Sequence, residues 1–228
     1  MSLDVVKVIE EFRQAADSER AVGMAAYLKN QFPCFGIPMP ERRAIGRELL
    51  QQSKQAAVPE VFAAANMLYL QPERECHYLA IDLLEQNYFR FTYEEFQLLY
   101  SLIDQHAWWD SVDALRKVLS LWVKGNRQYL DEVMERLLAA DSVWQRRTAI
   151  TLQLMWKEQT DTAWLVRSIL RNNDDPEFFI QKAIGWSLRD YAWTNPGWVR
   201  RFIAEHRLSK LAAREGGKHL SKLAETRG

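Results

Sequence analysis

Residues 108–122 read WWDSVDALRKVLSLW. Beyond the polar start, Leu115, Leu119 and Trp122 follow one another at three- and four-residue spacing, which brings them onto one face of an α-helix. At the centre of the stretch stands the pair Ala114-Leu115. An alanine followed by Ile or Leu returns as Ala44-Ile45, Ala80-Ile81, Ala149-Ile150 and Ala183-Ile184, so that the five pairs are separated by 36, 34, 35 and 34 residues. A period of that length made of two helices per unit predicts an all-α chain, an α-solenoid of antiparallel helix pairs in which each pair buries its apolar face by stacking on its neighbours. The ordered Trp, Leu-Gly and Tyr positions of tetratricopeptide repeats are missing. The units therefore read as HEAT-like repeats, shorter than the usual length of roughly 40 to 47 residues, forming one curved domain over residues 1–228 with a concave groove.

The rest of the chain agrees with that pattern. Glycine (9) and proline (7) are sparse, and the expected breaks fall at CFGIPMP (34–40), around Pro59, at LQPE (70–73), KGN (124–126), NNDDP (172–176) and TNP (194–196), with helices of about a dozen or more residues between them. No apolar run approaches the roughly 18 residues of a membrane span, so the expected location is the cytoplasm. Cys34 and Cys76 are too few for a disulfide framework and lack metal-ligand spacing; two reduced thiols, no metal and no cofactor are expected. The net charge is zero overall but +6 over residues 181–228, against −5 over 1–139 and −1 over 140–180. A basic end of this kind suits a polyanionic partner, and it equally suits a solvated basic helix.

The repeat register sorts side chains by direction. With each alanine at zero and about 100° per residue, positions +1, +5 and +8 form the core stripe, Ile45, Leu49, Ile81, Tyr88, Leu115, Leu119, Trp122, Ile150, Leu154, Ile184, Leu188 and Tyr191, to which Trp156 at +7 is added. The opposite side carries Arg43, Arg47, Trp109, Asp113, Lys182, Trp186 and Arg189, flanked by Arg42, Tyr78, Arg147, Gly46 and Gly185. Solvated helix faces usually intersperse Glu and Lys. This one offers arginines, two indoles, a single carboxylate and two glycines, which are expected to let a ligand backbone approach. Trp109 and Asp113 are helical neighbours with Cβ atoms roughly 5 to 6 Å apart, whereas Trp108 points about 100° away and is expected to pack into the neighbouring layer. Asp110 reads as a helix-start residue complementing the macrodipole.

Indole faces around a carboxylate attract positive charge. An N-glycosidic bond breaks through an oxocarbenium-like sugar, which a fixed carboxylate stabilises while orienting a water. A purine already cationic from N3 or N7 alkylation leaves without a strong general acid. Arg146, Arg147, Lys182, Arg189, Lys210, Arg214 and Lys218 suit phosphate contacts.

The segments YLKNQFPCFGIPMPERR (27–43), AWWDSVD (107–113), VWQRRTAI (143–150) and EFFIQKAIGWSLRDYAWTNP (177–196) closely resemble the AlkD family of bacterial DNA alkylation repair glycosylases, over nearly the whole chain. The resemblance implies HEAT-like repeats, a basic duplex-DNA surface and monofunctional excision of N3- and N7-alkylated purines such as 3-methyladenine and 7-methylguanine, leaving an abasic site in base excision repair. It implies that Asp113 is the catalytic carboxylate, that Trp109 and Trp186 frame the sugar and backbone of the damaged nucleotide, that Arg147 contacts DNA near the lesion and that Tyr27 sits at the DNA surface; Arg42 and Arg43, from the register face, are expected to be DNA-surface residues as well. The lesion is expected to stay stacked. A monomer is the default for an accessible groove. The competing readings are a HEAT-type scaffold binding an acidic peptide and a non-catalytic binder of distorted DNA.

Overall fold

The computed structural model describes residues 3–220. Its contacts separate two compact units, Met1–His106 and Ala107–Gly228. The first carries α1 (Val5–Gln14), α2 (Ser18–Tyr27), α3 (Met39–Ile45), α4 (Arg47–Ser53), α5 (Val58–Tyr69), α6 (Arg74–Asn87), α7 (Tyr93–Gln97) and α8 (Leu99–Asp104). The second carries α9 (Trp109–Gly125), α10 (Leu130–Ala139), α11 (Val143–Thr151), α12 (Thr162–Asn172), α13 (Phe178–Ala192), α14 (Pro196–Glu205) and α15 (Lys210–Gly217). No strand occurs among the described residues, and the fold is all-α with HEAT-like helical repeats.

The expected breaks all separate or start helices, but the helices themselves are often shorter than a dozen residues. They run from five residues in α7 to seventeen in α9. Gly46 stands at the junction of α3 and α4. A Cβ there would lie 2.5 Å from Cδ1 of Leu79 on α6, so the glycine lets two helices approach. Gly36, at φ 86°, closes the turn before α3, where a Cβ would meet the Asp17 carbonyl oxygen at 2.1 Å. The same turn is anchored by the buried Glu75 carboxylate of α6, which accepts the backbone N–H groups of Phe35 (3.0 Å), Gly36 (2.9 Å) and Ile37 (3.1 Å).

In the second unit the repeat register is visible as packing. Helices α9, α11 and α13, which carry Ala114, Ala149 and Ala183, pack in succession, and α13 is covered on its far side by α14 and α15. Leu115, Leu119, Ile150, Ile184 and Leu188 of the core stripe are buried, as are Leu154 and Trp156, which lie beyond the end of α11. Thr148 and Thr151 bond back to the carbonyls of Trp144 (2.9 Å) and Arg147 (2.8 Å) near that end, a local competition that weakens continued helix. Cross-repeat hydrogen bonds fix the stagger: Ser187 Oγ donates to the Ile150 carbonyl at 2.7 Å, and Trp156 Nε1 donates to Ser120 Oγ at 2.8 Å.

Gly185 corrects one expectation outright. It does not open α13 to a ligand backbone; it is buried, and a Cβ there would lie 2.5 Å from Glu215 Cβ and 3.1 Å from the Ala212 carbonyl oxygen of α15. Gly46 fails as a ligand approach for the same reason. Gly185→Ala is expected to cost about 1–3 kcal/mol through overpacking, more than the roughly 1 kcal/mol that alanine gains over glycine inside a helix. The check is a lowered thermal unfolding midpoint; a raised one would show that α15 yields without cost.

Candidate active site

Trp108 adopts extended backbone (φ −153°, ψ 160°) and caps α9, so the helix starts at Trp109. Its ring turns away from the helix face and packs edge-on against Phe179 (5.2 Å between centroids) and Trp144 (6.0 Å). That is the layer contact its direction predicted. Asp110 occupies the first turn of α9, where a carboxylate complements the helix dipole. Asp113 follows Trp109 by one helical turn, on the same side of α9.

Asp113 is not a solitary carboxylate. Arg147 on α11 grips it in a planar fork, with Nε donating to Oδ1 at 2.9 Å and Nη2 donating to Oδ2 at 2.8 Å. The remaining Nη1 donates to the Phe179 carbonyl at the start of α13, at 2.7 Å. One guanidinium thus ties three successive repeat helices together. The Arg147 side chain is only 6% exposed and that of Asp113 18%, so the pair is largely desolvated but its carboxylate still reaches the surface. Removing one partner of such a pair strands a buried charge, typically at a cost of about 3–5 kcal/mol.

Trp186 of α13 stands beside this pair. The guanidinium carbon of Arg147 lies 6.0 Å from its ring centroid, and that of Arg116 lies 5.8 Å from the same ring. Two cations facing one indole hold its orientation through the ring quadrupole. Arg116 was not singled out from the sequence, although it sits at +2 from Ala114, the same register position as Gly46 and Gly185. Phe179 was likewise missed; it contributes through its backbone carbonyl, which side-chain patterning does not reveal.

The basic residues of the C-terminal end gather around a carboxylate that sequence reading also passed over. Glu215 of α15 lies 2.8 Å from Arg189, 3.4 Å from Lys182 and 3.8 Å from Arg214. Burial pushes the Glu215 carboxyl up, but Lys182 and Arg189 outweigh it and hold the group below its ordinary range. Three cations on one anion leave the cluster positive. Lys210, Arg214 and Lys218 are exposed on or beside α15.

In the first unit, Tyr27 ends α2 with 69% exposure. Arg43 keeps a side chain 54% exposed and lies 3.4 Å from Asp82. Arg42, grouped with it as a DNA-surface residue, is buried to 7% exposure: Nη2 donates to Asp82 Oδ2 at 3.0 Å, and the guanidinium lies 4.8 Å from the Tyr78 ring centroid. Its charge is spent on holding α3 to α6. Among the described residues no group of three or more His, Cys, Asp or Glu side chains is arranged to hold a metal, and no helix is long and apolar enough to cross a membrane. Neither Cys34 nor Cys76 is in a disulfide, and burial first, then Glu73 and Glu75, push the Cys76 thiol up to about 12.

Asp190, one turn beyond Trp186, has its carboxyl raised above the ordinary value of 3.8 by burial, against the Met155 N–H, Arg116 and Arg189, which favour the charged form. A raised carboxyl pKa means that the native state binds the proton more readily than the unfolded chain. Ionised Asp190 therefore subtracts stability at neutral pH, and the penalty vanishes as pH falls below the ordinary carboxylate value. Asp190→Asn is expected to raise the unfolding midpoint near neutral pH, with the gain closing in acid; a gain that persists unchanged in acid would remove the titration from the account.

The sequence model of the family described as DNA alkylation repair enzyme matches residues 8–220. Among solved structures, one described as a predicted DNA alkylation repair enzyme from Enterococcus faecalis superposes with a TM-score of 0.89 at 44% identity, covering 91% of this chain and 97% of that one. The crystal structure of AlkD2 from Streptococcus mutans superposes with a TM-score of 0.58 at 18% identity, covering 79% of this chain and 89% of that one, which supports the fold alone. No curated protein matches the chain.

Proposed function

The chain belongs to the DNA alkylation repair enzyme family, and from that premise we propose that it is a monofunctional DNA glycosylase that hydrolyses the N-glycosidic bond of N3- and N7-alkylated purines in duplex DNA. The observation that carries this reading is the Asp113 carboxylate, held by the Arg147 fork, whose guanidinium carbon lies 6.0 Å from the centre of the Trp186 ring.

Chemically, alkylation at N3 or N7 gives the purine a positive charge, so the base departs with the bonding electrons as a neutral molecule. Positive charge then develops on the deoxyribose. Asp113 stabilises that charge and orients a water whose oxygen bonds to the anomeric carbon; the water's proton passes to the carboxylate and on to solvent. Free base and an abasic site result. A carboxylate has about four lone-pair directions, and the fork occupies two of them, leaving acceptor capacity for sugar and water. Trp109 and Trp186 offer flat apolar faces to the sugar and backbone, which also exclude bulk water and so strengthen the electrostatic term.

Arg147 is assigned here a positioning role rather than a phosphate contact, because three of its N–H donors are engaged inside the fold and its side chain is nearly buried. Arg42 is assigned an analogous structural role at Asp82. The cations that serve DNA phosphates are those with exposed side chains, Arg43, Lys182, Arg214, Lys210 and Lys218, and Arg189 and Tyr27 also contact DNA. The whole chain, residues 1–228, acts as one glycosylase domain and as a monomer in the cytoplasm.

The test is direct. Duplex DNA containing 7-methylguanine, incubated with the protein, is expected to yield free 7-methylguanine and alkali-labile abasic sites with no strand cleavage before alkali. Tight, salt-sensitive binding to duplex without base release would instead mark a non-catalytic binder of distorted DNA. Binding of acidic peptides in preference to duplex would mark a scaffold.

A further inference from the structure

Next to Trp186 the second unit contains a cavity of about 490 Å³, between the end of α13 and the turn that follows α11. Sites for small organic ligands span about 300–1,000 Å³. Trp186, Asp190 and Trp193 line it from positions i, i+4 and i+7, a single face of α13 and its cap. Opposite them, Met155 donates its backbone N–H to Asp190 Oδ2 at 2.9 Å. Met155 (φ 66°) and Lys157 (φ 56°) both hold left-handed backbone, which non-glycine side chains seldom adopt and which concentrates at ligand sites. The charged residues of the lining, Lys157 and Arg189 against Glu158 and Asp190, balance, so the cavity selects neither a strong anion nor a strong cation.

The spacing Trp186-x-x-x-Asp190 repeats that of Trp109-x-x-x-Asp113. The two carboxylates are used differently. Asp113 accepts two N–H bonds from a guanidinium fork, one on each oxygen, whereas Asp190 accepts one backbone N–H, on Oδ2. Asp190 thus keeps acceptor capacity on the cavity wall, between two indoles. That combination is complementary to a flat ring with two adjacent N–H donors on one edge. Guanine has this edge in N1–H and the exocyclic N2 amino group, and alkylation at N7 leaves it intact. Thymine presents carbonyl oxygens on either side of a single N–H, which would face the carboxylate with like charge.

We propose that this cavity is a second nucleobase subsite that takes one unpaired guanine, stacked against Trp186 and Trp193 with N1–H and the N2 amino group donating to Asp190. The inference rests on the glycosylase reading only for its source of guanine. A released 7-methylguanine base and a guanine nucleotide displaced from its pair share the edge and the ring faces, and either can fill the space.

Calorimetric titration of the full chain with 7-methylguanine, guanosine 5′-monophosphate and thymidine 5′-monophosphate tests it. Saturable one-to-one binding is expected for guanine compounds and none for the thymidine nucleotide. Binding of 7-methylguanine alone would identify the released base as the occupant; binding of both guanine compounds would include the displaced nucleotide. Asp190→Asn is expected to weaken guanine binding by about tenfold or more through loss of a charge-assisted acceptor, and Trp193→Ala by roughly fivefold or more through loss of a stacking face. The asparagine variant keeps an acceptor for the Met155 N–H, so its fold serves as the control for the alanine variant. Absence of saturable guanine binding, equal binding of the thymidine nucleotide, or an unchanged affinity in Asp190→Asn would overturn the proposal. A chain that binds guanine in this way but releases no base from alkylated duplex keeps the subsite and loses the glycosylase assignment; the converse result loses the subsite alone.

Discussion

Asp113→Asn is expected to lower single-turnover release of 7-methylguanine by about 10² to 10³-fold, the usual cost of removing one electrostatic stabiliser of a transition state, while duplex binding changes little. The substitution keeps the size of the side chain and one oxygen acceptor for the Arg147 fork, so what it removes is the negative charge that opposes the sugar cation. It also leaves the nearly buried Arg147 guanidinium facing a neutral amide, so a lowered unfolding midpoint is part of the expected result. Rates are therefore to be compared at a temperature where circular dichroism shows both proteins folded. Release at the wild-type rate by a folded Asp113→Asn protein would sink the catalytic assignment.

The second large effect is expected at Arg147. Arg147→Lys preserves the charge but cannot reproduce two parallel donors to a carboxylate, nor hold the Phe179 carbonyl at the same time. Base release is expected to fall by roughly 10 to 10²-fold, as expected when a reacting group is moved by about an ångström. Because Arg147 acts through Asp113, the two losses should not add: the double variant Asp113→Asn, Arg147→Lys is expected to be little slower than Asp113→Asn alone, a coupling of the size found for residues in one network. A phosphate-contacting arginine would behave otherwise. Its removal would reduce the slope of binding against salt by about one unit, whereas the buried fork leaves that slope to the exposed lysines and arginines. Full activity in Arg147→Lys, or additive losses in the double variant, would overturn the positioning role.

The candidate site was legible in part. Trp109, Asp113, Arg147 and Trp186 stood on one side of the repeat register, and the structure brings Asp113, Arg147 and Trp186 into one constellation. The register did not tell which arginines reach solvent. Arg42 and Arg43 are adjacent in sequence and share Asp82, yet one is buried and the other exposed. Nor did it reveal Glu215, whose position against Lys182 and Arg189 depends on how closely α15 approaches α13 at Gly185. Arg116 was within reach of the same reasoning at position +2, but its partner, the Trp186 ring, lies two helices further along the repeat.

By itself the sequence determined the all-helical class, six of the breaks between helices and the direction in which each side chain leaves its own helix, because hydrophobic periodicity records angles about an axis. Tertiary structure alone decided that Asp113 meets Arg147 across 34 residues, that two glycines serve helix contact and not a ligand, and that Trp186, Asp190 and Trp193 border a cavity. The reason is physical: an angle about one axis carries no distance to the next. Ion pairs and hydrogen bonds form or fail within a fraction of an ångström, which is set by the spacing and stagger of neighbouring helices.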